Sequence, residues 1–479
     1  MLFSSNIFLL YFLPAFLLAY FLVPRSWRNP VLLLFSIFFY AWGAPDFVWV
    51  LMGATVASFY LVRAMDRAAT TRTKKLLCGA TILVNLGLLA YFKYANFFVD
   101  NFNALLSIAG HEPMAWTRVL LPIGISFFSF QSVTYAVDTY RGINKPMERL
   151  TDYMLYIMMF PQLIAGPIVR YTDIADQITH RELSYHDALQ GFYRFVIGLA
   201  KKVLVADVLG RWVDTMMGGN IATWDTGTAW VSIVAYTMQL YFDFSGYSDM
   251  AIGLGRMMGF RFPENFNNPY VSSSITEFWH RWHITLGSFM KNYLYIPLGG
   301  NRKGVGRTYF NLWIVFLLSG LWHGASWNFV LWGAYHGTFL VIERLLQKLR
   351  KGAVPQEKRL LRRLPKVLLT FFIATVGWSL FRIEDLPTCW TFITRLFAFD
   401  FHDFDPQITA QTATTLVVAL IFAFLTLFSF GRKLEQKVFY NDCHDRTHIP
   451  IWIVAVLLFF LCLAVLNASG FSPFIYFRF

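Results

Sequence analysis

Trp322-His323-Gly324 sets an imidazole inside the run Asn311 to Trp327, which holds no other ionisable side chain. A charged group at membrane depth costs roughly 2.5 kcal/mol or more on insertion scales. A neutral imidazole costs less, but both ring nitrogens still need partners. Ser319, Gly320, Gly324, Ala325 and Ser326 flank it, so the backbone can open here or a ligand can come close. One reading is a hydrogen-bonded structural histidine between helices. The other is proton transfer, for which an imidazole titrating near pH ~6.5 is suited. Ionisable groups inside a membrane mark functional sites, which favours the second.

A second polar constellation fills residues 240–305. Tyr241-Phe242-Asp243-Phe244-Ser245-Gly246-Tyr247-Ser248-Asp249 carries two carboxylates in an apolar run. Pro263-Glu264-Asn265-Phe266-Asn267-Asn268-Pro269-Tyr270 follows, then Ser272-Ser273-Ser274-Ile275-Thr276-Glu277-Phe278-Trp279-His280-Arg281-Trp282-His283. Ser274 and Glu277 have capping-box spacing, which predicts a helix start. On that helix His280 and His283 share a face with Glu277, and Trp279 and Trp282 suit a membrane interface. Three readings follow: an amphipathic interfacial helix, a metal site drawing on His280, His283, His323 and His336, or His283 paired with His323 across a catalytic tunnel. The metal reading has one pair at ligand spacing and no accompanying carboxylate motif, so no metal is expected.

The elements that position these groups must be membrane helices. Of 479 residues, 56% are hydrophobic, 19% aromatic and only 14% charged, where a soluble chain has about 25% charged. The expectation is an all-α, polytopic membrane protein. Apolar runs fall near 7–23, 31–44, 47–62, 76–92, 119–137, 153–169, 192–209, 229–258, 310–343, 367–383, 411–430 and 450–468. About eleven spans are expected, with re-entrant or interfacial helices where Gly and Pro break the runs, as in Phe160-Pro161-Gln162-Leu163-Ile164-Ala165-Gly166-Pro167. Residues 1–24 carry no charge, so no basic region precedes the first apolar run, which reads as a retained span.

The net charge of +13 sits in short loops between apolar runs. That is a cytoplasmic-retention pattern and attracts anionic lipid; no basic-aromatic stripe of a nucleic-acid reader accompanies it. Placing Arg25, Arg28, Arg63, Arg67, Arg72, Lys74, Lys75, the basic segment 344–366 and the loop 432–446 in the cytoplasm puts both termini outside. The acid-rich segment 384–405 then lies outside too. Cys78, Cys389, Cys443 and Cys462 are widely spaced and read as packing residues. No internal repeat is evident.

Taken together, Tyr241–Gly253, Arg281-Trp282-His283, Leu294-Tyr295-Ile296-Pro297-Leu298-Gly299-Gly300-Asn301-Arg302 and Trp322-His323-Gly324 resemble the membrane-bound O-acyltransferase family, in particular its bacterial polysaccharide-acetylating members. The likeness runs from Met1-Leu2-Phe3-Ser4-Ser5-Asn6, through Tyr91–Phe97 and Leu121–Phe127, to Ser472–Phe479. It implies one domain over 1–479, with N-terminal spans at 1–140, a polar catalytic core at about 150–345 and C-terminal spans at 367–479, around a central tunnel. By motif the family's near-invariant histidine falls on His323 and its second histidine on His283, while His280 departs from the usual residue at its position.

The resemblance further implies acetyl transfer from a cytoplasmic thioester, acetyl-CoA, in a bacterial inner membrane. The acyl group would pass to a periplasmic acetyltransferase-type partner that esterifies an exopolysaccharide such as alginate or cellulose. No bound cofactor is expected. Such a reaction needs a base near the alcohol and donors near the oxyanion. His323 is the candidate general base and His283 the second catalytic group; Trp282, Trp322, Asn268 and Asp243 are candidates for substrate contact. Asp243 and Asp249 have a competing structural reading, in which they bond backbone or serine groups near broken helices. The rival function is a polysaccharide-export or transport component with a polar intramembrane pathway.

Overall fold

The computed structural model describes residues 1–349, 360–402, 404–440, 445–469 and 474. Arg350, Lys351, Lys358, Arg359, Asp403, Cys443 and the closing motif apart from Phe474 lie outside the described residues. Those described form helices and loops, with one isolated bridge between Phe266 and Trp282. Five helical segments are long and apolar enough to cross a membrane: Pro45–Arg67, Thr71–Ile108, Leu360–Arg382, Ala410–Leu427 and His448–Ala468, with Phe8–Leu22 a shorter apolar one. The chain divides into two compact units.

The first unit comprises Met1–Ala188 and Leu254–Pro263. Thr70 caps the 38-residue helix Thr71–Ile108 by accepting from the Thr73 N–H at 3.1 Å. Phe8, Phe12, Phe16 and Phe39 gather round Phe160, with centroids 6.2, 5.4, 5.1 and 5.5 Å from its ring. Phe160 lies where the apolar run was expected to break. Helix Leu150–Met158 ends there, a short helix Phe160–Leu163 follows, and 164–169 is buried without being helical. Non-helical backbone at membrane depth survives where protein satisfies it; here Phe160 N–H donates to Ser36 Oγ at 3.1 Å.

The second unit comprises Leu189–Gly253 and Glu264–Phe479. Helix Tyr185–Ala200 continues through a wide π turn, Lys201–Ala206, into Asp207–Met217. It crosses helix Thr226–Met257 at a pair of glycines, where a Cβ on Gly198 would stand 2.5 Å from the Gly246 carbonyl oxygen. Helices Val305–His323 and Trp327–Leu349 pack as a hairpin with equally close backbones, a Cβ on Gly320 falling 2.2 Å from the Phe329 oxygen. The turn of that hairpin, at Gly324 to Ser326, puts His323 on the last residue of its helix.

Candidate active site

The helix predicted from Ser274 begins as expected and ends early. Ser274 Oγ accepts from the Glu277 N–H at 3.0 Å, but the Glu277 carboxylate returns to Ser273, whose N–H and Oγ both donate at 2.8 Å. Helix Ile275–Arg281 stops two residues short of His283. His283 stands instead in the left-handed region (φ 48°, ψ 53°), as N-cap of the next helix, Ile284–Phe289. His280 and His283 therefore share no helical face. What ends the helix is long-range pairing: Asn267 N–H donates to the Arg281 carbonyl at 2.9 Å, Ile284 N–H to the Asn265 carbonyl at 2.9 Å, and Phe266 bridges Trp282.

This turn carries Trp282 inward. It is 3% exposed and packs on Trp378 at 4.8 Å and Phe266 at 5.1 Å, so it does not sit at a membrane interface. His280 remains exposed.

His283 is buried, with Nδ1 3.0 Å from Asn265 Oδ1 and its ring edge-on to Phe244 at 4.8 Å. Its ring centroid lies 6.4 Å from that of His323 and 5.8 Å from Trp322. His323, also buried, is walled by Trp322 at 5.0 Å, Trp332 at 5.2 Å and Phe381 at 5.2 Å. Two imidazoles forty residues apart in sequence thus meet in one aromatic chamber. His336 stays behind Trp332, 5.1 Å from it and 4.9 Å from Trp279. Among the described residues no three His, Cys, Asp or Glu side chains gather as a metal site.

Asp243 does not join the histidines. It pairs with Lys202 at 2.8 Å, and Lys202 also holds Asp207 at 2.6 Å, all three side chains being buried. Asp249 pairs with Lys201 at 2.6 Å and Arg194 at 2.7 Å, and Arg194 grips Glu264 through both guanidinium ends at 3.0 and 2.6 Å. Both aspartates are thus held in ion pairs, a kind of partner that neither reading of them names. The π turn makes this possible by sending the consecutive Lys201 and Lys202 to different carboxylates. Arg194, Lys201 and Lys202 were the missed residues; three cations inside a predicted span were the available signal. Asn268, also left-handed at φ 48°, donates to Glu435 Oε1 at 2.6 Å.

A cavity of about 820 Å³ lies in this unit. Arg194, Lys201, Asp249, Glu264 and Glu435 supply its charged lining, Asn268 is part of its neutral polar lining, Leu204, Val418, Phe422 and Leu458 are part of its apolar wall, and Ser248 and Asn265 also border it. Its lining holds two cations against three carboxylates, a formal charge of −1.

Residues 72–382 match the model of the MBOAT, membrane-bound O-acyltransferase family, a stretch that contains both histidines and every ion pair just described. The chain belongs to the membrane-bound O-acyltransferase family. It is 43% identical to a probable alginate O-acetylase of Pseudomonas putida, with the full length of both chains covered. It is also 36% identical to the peptidoglycan O-acetyltransferase of Helicobacter pylori, over 81% of this chain and 78% of that one. The teichoic acid D-alanyltransferase of Bacillus subtilis is 27% identical over 54% of this chain and 68% of its own. The protein is an integral membrane O-acyltransferase, and its all-helical fold with several apolar spans is the architecture the sequence implied.

Proposed function

We propose that the protein moves an acetyl group from cytoplasmic acetyl-CoA across the bacterial inner membrane for O-acetylation of an exopolysaccharide, with both termini on the periplasmic side. The observation that carries this reading is the 6.4 Å approach of His283 and His323 within one aromatic chamber. A base takes the proton of the acceptor hydroxyl as its oxygen attacks the thioester carbonyl. The C–O bond forms, the C–S bond breaks, and the proton passes to the departing thiolate. His323 serves as that base and His283 as the second catalytic group, while Trp282 and Trp322 close the chamber against water, which would otherwise hydrolyse the acyl group.

The cavity bordered by Asn265, which holds His283, suits the uncharged pantetheine arm of the donor. Its excess of carboxylates disfavours phosphate, so the nucleotide end belongs outside, near cytoplasmic cations such as Arg432, Lys433 and Lys437. Asn268 and Asp243, already engaged by Glu435 and Lys202, act on substrate only indirectly in this scheme. The acyl acceptor outside is a periplasmic acetyltransferase-type partner, and the acidic segment 384–405 is the surface offered to it.

The test is ester-linked acetate on the cell's exopolysaccharide, comparing wild type with His323→Ala at matched membrane levels. Loss of a positioned general base costs about 10²–10⁴-fold, so acetate should disappear while polymer yield holds. Unchanged acetate would overturn the role of His323, and collapse of polymer yield would favour export instead.

A further inference from the structure

Asn265 is fully buried and holds this turn at two places, Ile284 through its backbone and the His283 ring through its side chain. Its carbonyl oxygen accepts from the Ile284 N–H at 2.9 Å, fastening the peptide just after His283. Its side-chain Oδ1 faces His283 Nδ1 at 3.0 Å. The identity of that amide atom is fixed by its other neighbours. Thr285 N–H, which can only donate, points at it from 3.4 Å, and Thr285 Oγ1 approaches to 2.8 Å. The opposite amide atom, Nδ2, donates to Ser248 Oγ at 3.1 Å. An oxygen without a proton cannot donate, so the hydrogen between Asn265 and His283 belongs to the ring.

We propose that Asn265 is a positioning residue for acyl transfer: it holds His283 as the Nδ1–H tautomer, with the lone pair on Nε2. Nε2 is the ring nitrogen with no hydrogen-bond partner among the described residues. The proposal rests on the catalytic use of His283 and gives it a chemical sense. Nε2 of His283 accepts a proton or a hydroxyl hydrogen bond; it does not donate one. The left-handed backbone at His283, which costs a non-glycine residue roughly 1–2 kcal/mol, is what aims the ring at Asn265, and the bridge between Phe266 and Trp282 maintains it. Strain held by surrounding structure in this way is a feature of functional positions.

The experiment uses full-length protein in lipid bilayers with ¹⁵N-labelled histidine. The nitrogen signals lost in His283→Gln identify His283, and they should report Nδ1 protonated and Nε2 bare. In Asn265→Leu they should move to the other tautomer or to a mixture. Acetyl-CoA turnover by inverted membrane vesicles is measured in parallel. Asn265→Leu should lower kcat about 10²-fold, by analogy with a triad histidine left in the wrong tautomer, with KM for acetyl-CoA unchanged. Asn265→Asp, nearly the same shape, should retain the tautomer but favour imidazolium, shifting the acid limb of the pH profile up by about one unit or more. Activity in that variant should return at alkaline pH. An Nε2–H tautomer in wild type overturns the proposal. So does wild-type kcat in Asn265→Leu together with an unshifted profile in Asn265→Asp, provided His283→Gln is inactive. Full activity of His283→Gln would instead overturn the catalytic use of His283.

Discussion

Phe8, Phe12, Phe16 and Phe39 surround Phe160 at 5.1–6.2 Å, and no ring among them carries a nitrogen. Around His323, the rings of His283, Trp322, Trp332 and Phe381 lie at 5.0–6.4 Å, and all of these but Phe381 carry a nitrogen. Both clusters are buried and aromatic, and both gain about 0.5–1.5 kcal/mol per ring pair beyond area burial. Stability alone would be served by phenylalanine in either place, since a buried N–H must find a partner or cost free energy. Trp279 Nε1, Trp332 Nε1 and both nitrogens of His336 have no hydrogen-bond partner among the described residues. One buried cluster keeps such groups and the other has none, a division that the proposed chemistry at His323 accounts for.

Substitutions can break that division or sharpen it. Lys202→Met should have the largest effect, because it strands Asp207 and Asp243 as buried carboxylates. Removing one partner from a buried ion pair costs about 3–5 kcal/mol, so the detergent-solubilised protein should melt well below wild type and accumulate poorly. Phe160→Ala in the phenylalanine cluster should cost about 3–5 kcal/mol by the same thermal assay, yet leave acetylation per folded molecule unchanged. Loss of specific activity there would erase the contrast. Trp332→Phe removes part of a buried ring and should cost about 1–3 kcal/mol, while lowering acetylation per folded molecule roughly tenfold through loss of the indole N–H. If it alters neither, the nitrogen on that wall is incidental.

Much of this was legible in residue types. The isolated imidazole in Asn311–Trp327 and the second at His283 were both visible, and the structure brings them together. The broken run at Phe160 was visible in Pro161, Gly166 and Pro167. What escaped was the end of the helix at Arg281. Glu277 to His283 contains neither glycine nor proline, and the terminating contacts come from Asn265 to Asn267, a sequence distance at which local pattern is silent. For the same reason nothing singled out Asn265 from the other polar residues of Pro263–Tyr270. Asp243 and Asp249 were conspicuous, but their partners lay on another helix, brought within reach by a π turn that has no sequence signature of its own.

The central claim is that the two imidazoles act as a unit in acyl transfer. A double-mutant cycle on acetate transferred per membrane-embedded molecule tests it most directly, using His323→Ala, His283→Gln and the pair together. Groups that act as a unit are non-additive, so either single variant should lose nearly all activity and the double variant should lose little more. Strictly multiplicative losses would mean two independent residues that share a chamber, and would contradict the account.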